Sequence, residues 1–193
     1  MPAKTAKGPI GFDVSISDPK ERIQAYIDTY RNDEEYEGFE STLMKSLHII
    51  SASVSLPNPN PPQASSTLAT TTFALPVVPA LCNPMGNMHG GAVATLADMA
   101  TTMATAPLSQ RGFWEFGGVS RTLSVTYLKP VKVGGVVEVV CEVRSIGRRL
   151  SVTQCVVREK ETGEMLALAE HGKSALLDQT FPPVRGRGDR SNL

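Results

Sequence analysis

One stretch of the chain combines residue types that could do chemistry, the segment from Asn83 to Asp98. It holds a His-Gly-Gly triplet, His89 to Gly91, and then a run of small and apolar residues with a single carboxylate, Asp98. If a helix begins at the glycines, the amide of Gly90 or Gly91 points outward without an intrahelical acceptor, at the positive end of the helix dipole. Such an amide can stabilise a carbonyl oxygen that becomes negative, and glycine lets a substrate approach closely. The alternative is that the glycines only ease the turn into the helix.

Asp98 lies in the middle of this predicted helix, where an ionised carboxylate among apolar neighbours is costly unless it is paired or hydrated. As a functional residue it would be a general base on water or a nucleophile, and the alternative is an exposed polar position on an amphipathic helix. Gly90 and Asp98 are roughly 12 Å apart along a helix, whereas groups that act together must lie within about 3 Å of one reacting centre. A two-fold dimer with antiparallel helices could bring Gly90 of one subunit opposite Asp98 of the other.

Three further residues are candidates for the site. His89 could act as a base, but beside two glycines we favour a local hydrogen bond that holds the turn. Asn83 could brace the loop or donate to a substrate. Ser120, on the predicted polar face of its strand, could orient a water or simply face solvent. The sequence contains no Gly-x-Ser-x-Gly, P-loop or His-Glu-x-x-His motif, so the commonest hydrolase, nucleotide and zinc signatures are absent.

Periodicity predicts the elements that hold these residues. A helix is predicted from Asp18, its N-cap, to about Asn32, and a second short helix over 33–44. The segment 91–106 is too long and too rich in alanine for a strand and should be a mostly buried helix. Alternating patterns predict strands over 47–56, 67–75, 118–128, 136–144, 150–158 and 165–173.

The last four predicted strands follow one another closely, so we expect each to be the antiparallel neighbour of the next. One antiparallel sheet wrapped around the central helix buries both the helix and one face of the sheet. The sequence therefore predicts an α+β fold with an N-terminal helical extension. We expect an arm over 1–45, a folded domain over 46–174 with a proline-rich loop at 57–66, and a polar, disordered tail over 175–193.

The composition is that of a soluble protein with one folded core. Among 193 residues, 19 Lys and Arg balance 19 Asp and Glu, so no basic excess favours nucleic acid as a partner. No apolar run is long enough for a membrane span. The cysteines, Cys82, Cys141 and Cys155, lack metal-ligand spacing and indicate free thiols in a reducing compartment. We expect an intracellular protein, in the cytoplasm or alternatively the mitochondrion.

The motif Asn83-x-x-Gly86-x-x-His89-Gly90-Gly91, followed by Asp98, resembles the signature of hotdog-fold acyl-CoA thioesterases. The similar subgroup is that of the phenylacetate-pathway and acyl-CoA thioesterase 13-like enzymes. The resemblance extends through 119–120, 125–130 and 147–150, and covers about residues 83–173. It implies the hotdog fold, in which an antiparallel sheet wraps around a long central helix.

The resemblance also implies roles for residues of the site. The N–H of Gly90 would bind the thioester carbonyl, and Asp98 from the partner subunit would activate water. Asn83 and Ser120 match the remaining site positions, the serine helping to place the water. The implied protein is a homodimer or homotetramer that hydrolyses acyl-CoA in lipid metabolism without a metal or cofactor.

Substrate contacts are predicted for four more residues: His89, Gly91, Arg148 and Arg149. The two arginines lie in a predicted turn and could meet the CoA phosphates, or alternatively form a solvated basic turn. One rival function is release of a fatty or polyketide acyl chain from an acyl carrier protein. Another is non-catalytic binding of acyl-CoA, against which Asp98 argues, because binding alone needs no carboxylate beside the thioester.

Overall fold

A computed structural model describes residues 11–55 and 67–176 of the protein. The predicted loop at 57–66, residues 1–10 of the arm and residues 177–193 of the tail lie outside these described residues. The α-helices are α1 Pro19–Asn32, α2 Ser41–Ser46 and α3 Gly90–Met103. The strands are β1 His48–Val54, β2 Ala69–Pro76, β3 Val119–Tyr127, β4 Val136–Ile146, β5 Leu150–Glu159 and β6 Met165–Ser174.

The N-terminal helix has the bounds that its sequence predicts. Asp18 caps α1 by accepting a hydrogen bond from the Glu21 N–H at 2.8 Å, and Ile23 and Ile27 are buried on one face. The prediction of a second helix over 33–44 is wrong for most of its length, since α2 begins only at Ser41. The Asp33 carboxylate instead accepts from the Glu35 N–H at 3.2 Å, a local turn that competes with helical hydrogen bonding.

The six strands form one antiparallel sheet in the order β1-β2-β4-β5-β6-β3. The predicted pairings of β4 with β5 and of β5 with β6 are confirmed. The predicted pairing of β3 with β4 is wrong, because β3 lies at the sheet edge beside β6 and β4 pairs with β2. The connection between β3 and β4 lies beside the segment that joins β2 to α3. The two are hydrogen-bonded to each other, since Val131 O accepts from the Met88 N–H at 2.7 Å and Val77 O accepts from the Gly134 N–H at 2.9 Å.

The sheet wraps around α3, which packs against β3, β4, β5 and β6. This confirms the central helix and the α+β class. Alanines such as Ala97 and Ala100 are fully buried, and their small side chains let neighbouring elements approach the helix closely. The inward side chains of β4 include Val139 and Cys141, and the three cysteines are free thiols. Within the described ranges, no helix is long and apolar enough to cross a membrane.

A bulge in β3 changes the face on which Ser120 lies. Ser120 is opposite Lys173 in β6 and Leu123 is opposite His171, with a register shift between Ser120 and Thr122. His171 and Lys173 are two positions apart and both buried against α3, so Ser120 and Leu123 share the inner face of the sheet. The prediction that Ser120 lies on the polar face with Thr122 is therefore wrong, because strict alternation takes no account of the extra residue in a bulge.

Candidate active site

The backbone N–H of Gly90, at the start of α3, has no acceptor among the described residues. His89 is the N-cap residue, and its Nδ1 accepts a hydrogen bond from the Gly91 N–H at 3.0 Å. The Gly91 amide is thus engaged inside the protein, and His89 makes the local hydrogen bond that its sequence context favours. The Gly90 N–H points out of the helix end, where the dipole favours negative charge.

A tyrosine of β3 holds this helix start from the other side. Tyr127 Oη donates to the Gly90 carbonyl oxygen at 2.9 Å. A Cβ atom added at Gly90 would lie 3.6 Å from the Tyr127 ring, which is an ordinary contact, so Gly90 is not required by packing. A cavity of about 320 Å³ opens here, with Asn83, Gly90, Tyr127 and Lys129 in its wall. His89 and Gly91 line a second cavity, of about 420 Å³, on the side of α2.

Asn83 shapes the loop that leads to the helix. Its Oδ1 accepts from the backbone N–H groups of Met85 at 3.0 Å and Asn87 at 3.3 Å. The turn is closed by Gly86, whose φ of 74° lies in the left-handed region that glycine adopts without strain. Because Oδ1 is the acceptor in both contacts, the side-chain amide Nδ2 is the end that remains for donation toward the cavity.

The carboxylate of Asp98 is half-buried on α3, with 38% of its side chain exposed. Its Oδ1 is surrounded by polar groups, whereas Oδ2 accepts no hydrogen bond from any described residue. The groups near Oδ1 are Ser120 Oγ at 3.2 Å, Thr102 Oγ1 at 3.4 Å, His171 Nε2 at 3.7 Å and Lys173 Nζ at 3.9 Å.

Two of these neighbours are basic residues of β6 that lie inside the protein. Only 2% of Lys173 and none of His171 is exposed. The pKa of His171 is lowered to about 4, mainly by burial and secondly by the charge of Lys173, while the Asp98 carboxylate opposes the shift. Burial also lowers the pKa of Lys173 to about 8, again opposed by Asp98. At neutral pH the His171 imidazole is therefore neutral and Lys173 is mostly an ammonium.

Sequence reasoning missed His171 and Lys173, although the sequence carried a signal for them. Alternation in β6 places both on the same side as Ala167 and Ala169, which are buried. Two basic residues at the end of an otherwise apolar face indicate a buried polar site rather than a solvent-exposed strand end.

The predicted site residues form two separate groups within one chain. Gly90 and Asn83 line one cavity, Asp98 and Ser120 are hydrogen-bonded to each other, and no hydrogen bond or ion pair among the described residues joins the two groups. Arg148 and Arg149 are exposed in the turn between β4 and β5.

The turn that carries these arginines lies at the Ser120 end of the sheet. Trp114, in the loop before β3, donates from Nε1 to the Gly147 carbonyl oxygen at 2.7 Å. Leu150 at the start of β5 and Val119 at the start of β3 both pair with Ser174 of β6. The turn before β5 is therefore at the same end of the sheet as the start of β3.

Comparison with known proteins places this geometry in context. Residues 85–166 match the model of the Thioesterase superfamily. Human acyl-coenzyme A thioesterase 13 is 35% identical over 91 residues, which are 47% of this chain and 62% of the human protein. The chain thus matches less than two thirds of this curated relative.

Solved structures extend the similarity beyond the matched segment. Zebrafish thioesterase superfamily member 2 superposes with a TM-score of 0.63 at 25% identity, over 79% of this chain and 96% of the zebrafish chain. A hypothetical thioesterase of Streptococcus pneumoniae with coenzyme A has a TM-score of 0.50 at 25% identity, over 57% of this chain and 81% of that chain. Residues 85–166 are thus similar to the Thioesterase superfamily, and the zebrafish structure has the same fold.

Proposed function

We propose that the protein hydrolyses acyl-CoA thioesters to a free acid and CoA. The observation that carries this proposal lies on one helix, where the Gly90 N–H and the Asp98 Oδ2 both lack a hydrogen-bond partner among the described residues. These are the two functions that thioester hydrolysis needs, a donor for the carbonyl oxygen and a base for water. The relatedness to an acyl-CoA thioesterase and to a thioesterase with coenzyme A supports CoA as the carrier of the acyl group.

The proposed reaction begins when Asp98 Oδ2 takes a proton from water as the water oxygen bonds to the thioester carbonyl carbon. The carbonyl π electrons move to the oxygen, where the Gly90 N–H stabilises the negative charge. When the carbonyl re-forms, the C–S bond breaks and the CoA sulfur leaves with the bonding electrons. The thiolate then takes the proton from Asp98, which restores the carboxylate. Ser120 Oγ, hydrogen-bonded to Oδ1, holds the base and helps place the water.

We further propose that each site combines residues of two subunits, because the helix separates Gly90 from Asp98 by roughly 12 Å. The edge strand β3 supports a homodimer as the minimal assembly. Among the described strands it pairs with β6 alone, and it carries exposed apolar side chains such as Val119 and Tyr127. An unpaired edge with exposed apolar residues is the kind of strand that a second copy covers.

Substrate contacts beyond the thioester are proposed for the ends of the site. The Asn83 Nδ2 amide would donate to the thioester region from the wall of the Gly90 cavity. Arg148 and Arg149 are free to meet the CoA phosphates, since they lie exposed at the Ser120 end of the sheet.

A thiol-release assay tests the reaction, with acyl-CoAs of different chain length and aromaticity and acyl-carrier protein as parallel substrates. Asp98→Asn should lower kcat by about 10²–10⁴-fold, because the base is lost while the shape is kept. Gly90→Pro should lower kcat about 10²–10³-fold, the effect of losing one oxyanion donor. Proline fits the first helical position, and His89 has the extended backbone, φ −62° and ψ 139°, that a following proline requires.

Gly90→Ala is the matched control for the proline variant. It adds a Cβ in ordinary contact with Tyr127 but keeps the N–H, so kcat should stay close to that of the wild type. If alanine and proline are equally damaging, the oxyanion role of the amide is wrong. If the wild type releases thiol from none of the substrates, or Asp98→Asn keeps the full rate, the proposed hydrolysis is wrong. If the protein hydrolyses only the acyl-carrier-protein substrates, the carrier of the acyl group is the carrier protein and not CoA.

A further inference from the structure

Two buried basic residues of β6, His171 and Lys173, lie beside the Asp98 carboxylate, and the role proposed for them rests on the proposed function. We propose that Lys173 is a positioning residue that fixes the Asp98 carboxylate through Oδ1, on a side that His171 closes to solvent, and leaves Oδ2 as the oxygen that deprotonates water. Neither residue reaches solvent, so a direct role in binding a CoA phosphate is not open to them.

Lys173 is an ammonium held inside the protein beside one carboxylate. Its Nζ donates to Thr102 Oγ1 at 2.8 Å and lies 3.9 Å from Asp98 Oδ1. Asp98 is the only carboxylate within ion-pair distance of Lys173 in the described part of the chain. Burying an ammonium costs free energy, and a nearby counter-charge offsets only part of that cost. Lys173 therefore lowers the stability of the fold rather than raising it. A lysine whose sole purpose was solubility would extend into solvent.

The hydrogen bonds of His171 define which of its nitrogens faces Asp98 with a lone pair. Thr101 has one hydroxyl proton, and its Oγ1 donates to the Ala97 carbonyl oxygen at 2.6 Å. In the contact of 2.6 Å between Thr101 Oγ1 and His171 Nδ1, the donor must then be the Nδ1–H of the imidazole. His171 Nε2 is consequently an acceptor, it is buried, and it has no partner among the described residues.

This tautomer explains why Oδ2 is the reactive oxygen. Nε2 faces Oδ1 at 3.7 Å, and two acceptors at that distance do not hydrogen-bond to each other. The carboxylate is therefore held on its Oδ1 side by the ammonium and the Ser120 hydroxyl, while the neutral imidazole closes that side to solvent. The titratable groups that interact electrostatically with Asp98 are His171 and Lys173 of β6 and, more weakly, Tyr26 of α1.

The test is Lys173→Met, which removes the charge and keeps a side chain of similar length. We expect kcat to fall about 10- to 100-fold, as for a misplaced catalytic group, with KM changed less than about twofold. Replacing a buried ammonium by an apolar side chain should not lower the thermal midpoint, because the half-exposed Asp98 remains hydrated. Lys173→Gln is the second variant, and the exposed Lys160→Met in the β5–β6 turn is the matched control with wild-type kcat.

A double-mutant cycle separates positioning from general stability. In the Asp98→Asn background, Lys173→Met should change the residual kcat by less than about twofold, because it acts only through the carboxylate. Asp98→Asn alone leaves the buried ammonium without its counter-charge and should lower the thermal midpoint. Adding Lys173→Met removes that ammonium and should restore the midpoint. Equal losses of kcat in both backgrounds would overturn the positioning role.

Failure of this inference differs from failure of the proposed function. An active wild type whose Lys173→Met and Lys173→Gln variants keep full kcat overturns the positioning role alone. A wild type that releases no thiol overturns the hydrolysis and the positioning role with it.

Discussion

His171 makes the stability of the fold depend on pH in a predictable direction. Burial holds its folded-state pKa at about 4, below the ordinary value of 6.5. The unfolded chain therefore binds a proton on this residue as the pH falls below 6.5, whereas the folded protein binds it only near pH 4. The stability that the neutral imidazole contributes is complete above pH 6.5 and is lost as the pH falls toward 4. The full loss approaches about 3 kcal/mol.

The measurement is urea unfolding of the wild type and His171→Asn at pH 7 and pH 4.5. Asparagine does not titrate, and its side-chain amide can donate to Thr101 as Nδ1 does. The wild type should lose more stability between the two pH values than the variant, since all other groups titrate in both proteins. Equal losses would show that His171 is already protonated in the folded state at pH 4.5.

At the level of single residues, the sequence indicates chemistry where the signal is local. Gly90 and Asp98 stand out because a glycine pair and a lone carboxylate are unusual around one alanine-rich helix. Ser120 is indicated as a site residue, but its face is predicted wrongly, because a bulge can be recognised only from the partner strand. Lys173 becomes visible as a site residue only when β6 is seen to face α3.

Among the elements, α1 is fastened to the segment after α3 by one arginine. Arg22 is buried, and its Nη1 donates to the carbonyl oxygens of Ala106 at 2.7 Å and Ser109 at 2.8 Å. Its Nε and Nη2 both donate to Ile16 O, at 2.9 and 2.7 Å. The guanidinium therefore joins the N-terminal extension to the loop that leads toward Ser120.

Arg22→Met should destabilise the protein by about 2–4 kcal/mol, because buried carbonyls lose charged donors. Thermal unfolding measures the loss, and Lys20→Met, an exposed position on the same helix, should change stability by less than about 0.5 kcal/mol. If Arg22→Met unfolds like the wild type, the extension contributes little to the stability of the domain.

Elements are predictable from sequence where their determinants are local. The cap at Asp18 and the apolar stripe define α1, and alternation defines β4, β5 and β6. The helix expected over 33–44 fails because Asp33 forms a local turn. The pairing of β3 with β6 is a contact between residues far apart in the chain, and no local pattern distinguishes it from pairing with the next strand.

For the whole molecule, the central question is how two half-sites on one helix become one site. Each chain carries the Gly90 N–H at one end of α3 and the Asp98 carboxylate nearer the other, and one edge of β3 is unpaired within the described part of the chain. A two-fold axis exchanges the ends of two antiparallel helices, so it would create two identical sites in a single step. A site shared between subunits therefore requires the proposed two-fold assembly.

Mixing two inactive variants tests this arrangement directly. In a mixed dimer of Asp98→Asn and Gly90→Pro subunits, one site combines the intact Gly90 of the first with the intact Asp98 of the second, and the other site carries both defects. Random exchange makes half of the dimers mixed, so the thiol-release rate should recover to about a quarter of the wild-type rate. The matched control mixes Asp98→Asn subunits with subunits that carry both substitutions, which cannot form an intact site. Recovery in the first mixture alone supports sites shared between subunits, whereas no recovery after verified exchange would mean that each chain builds its site alone.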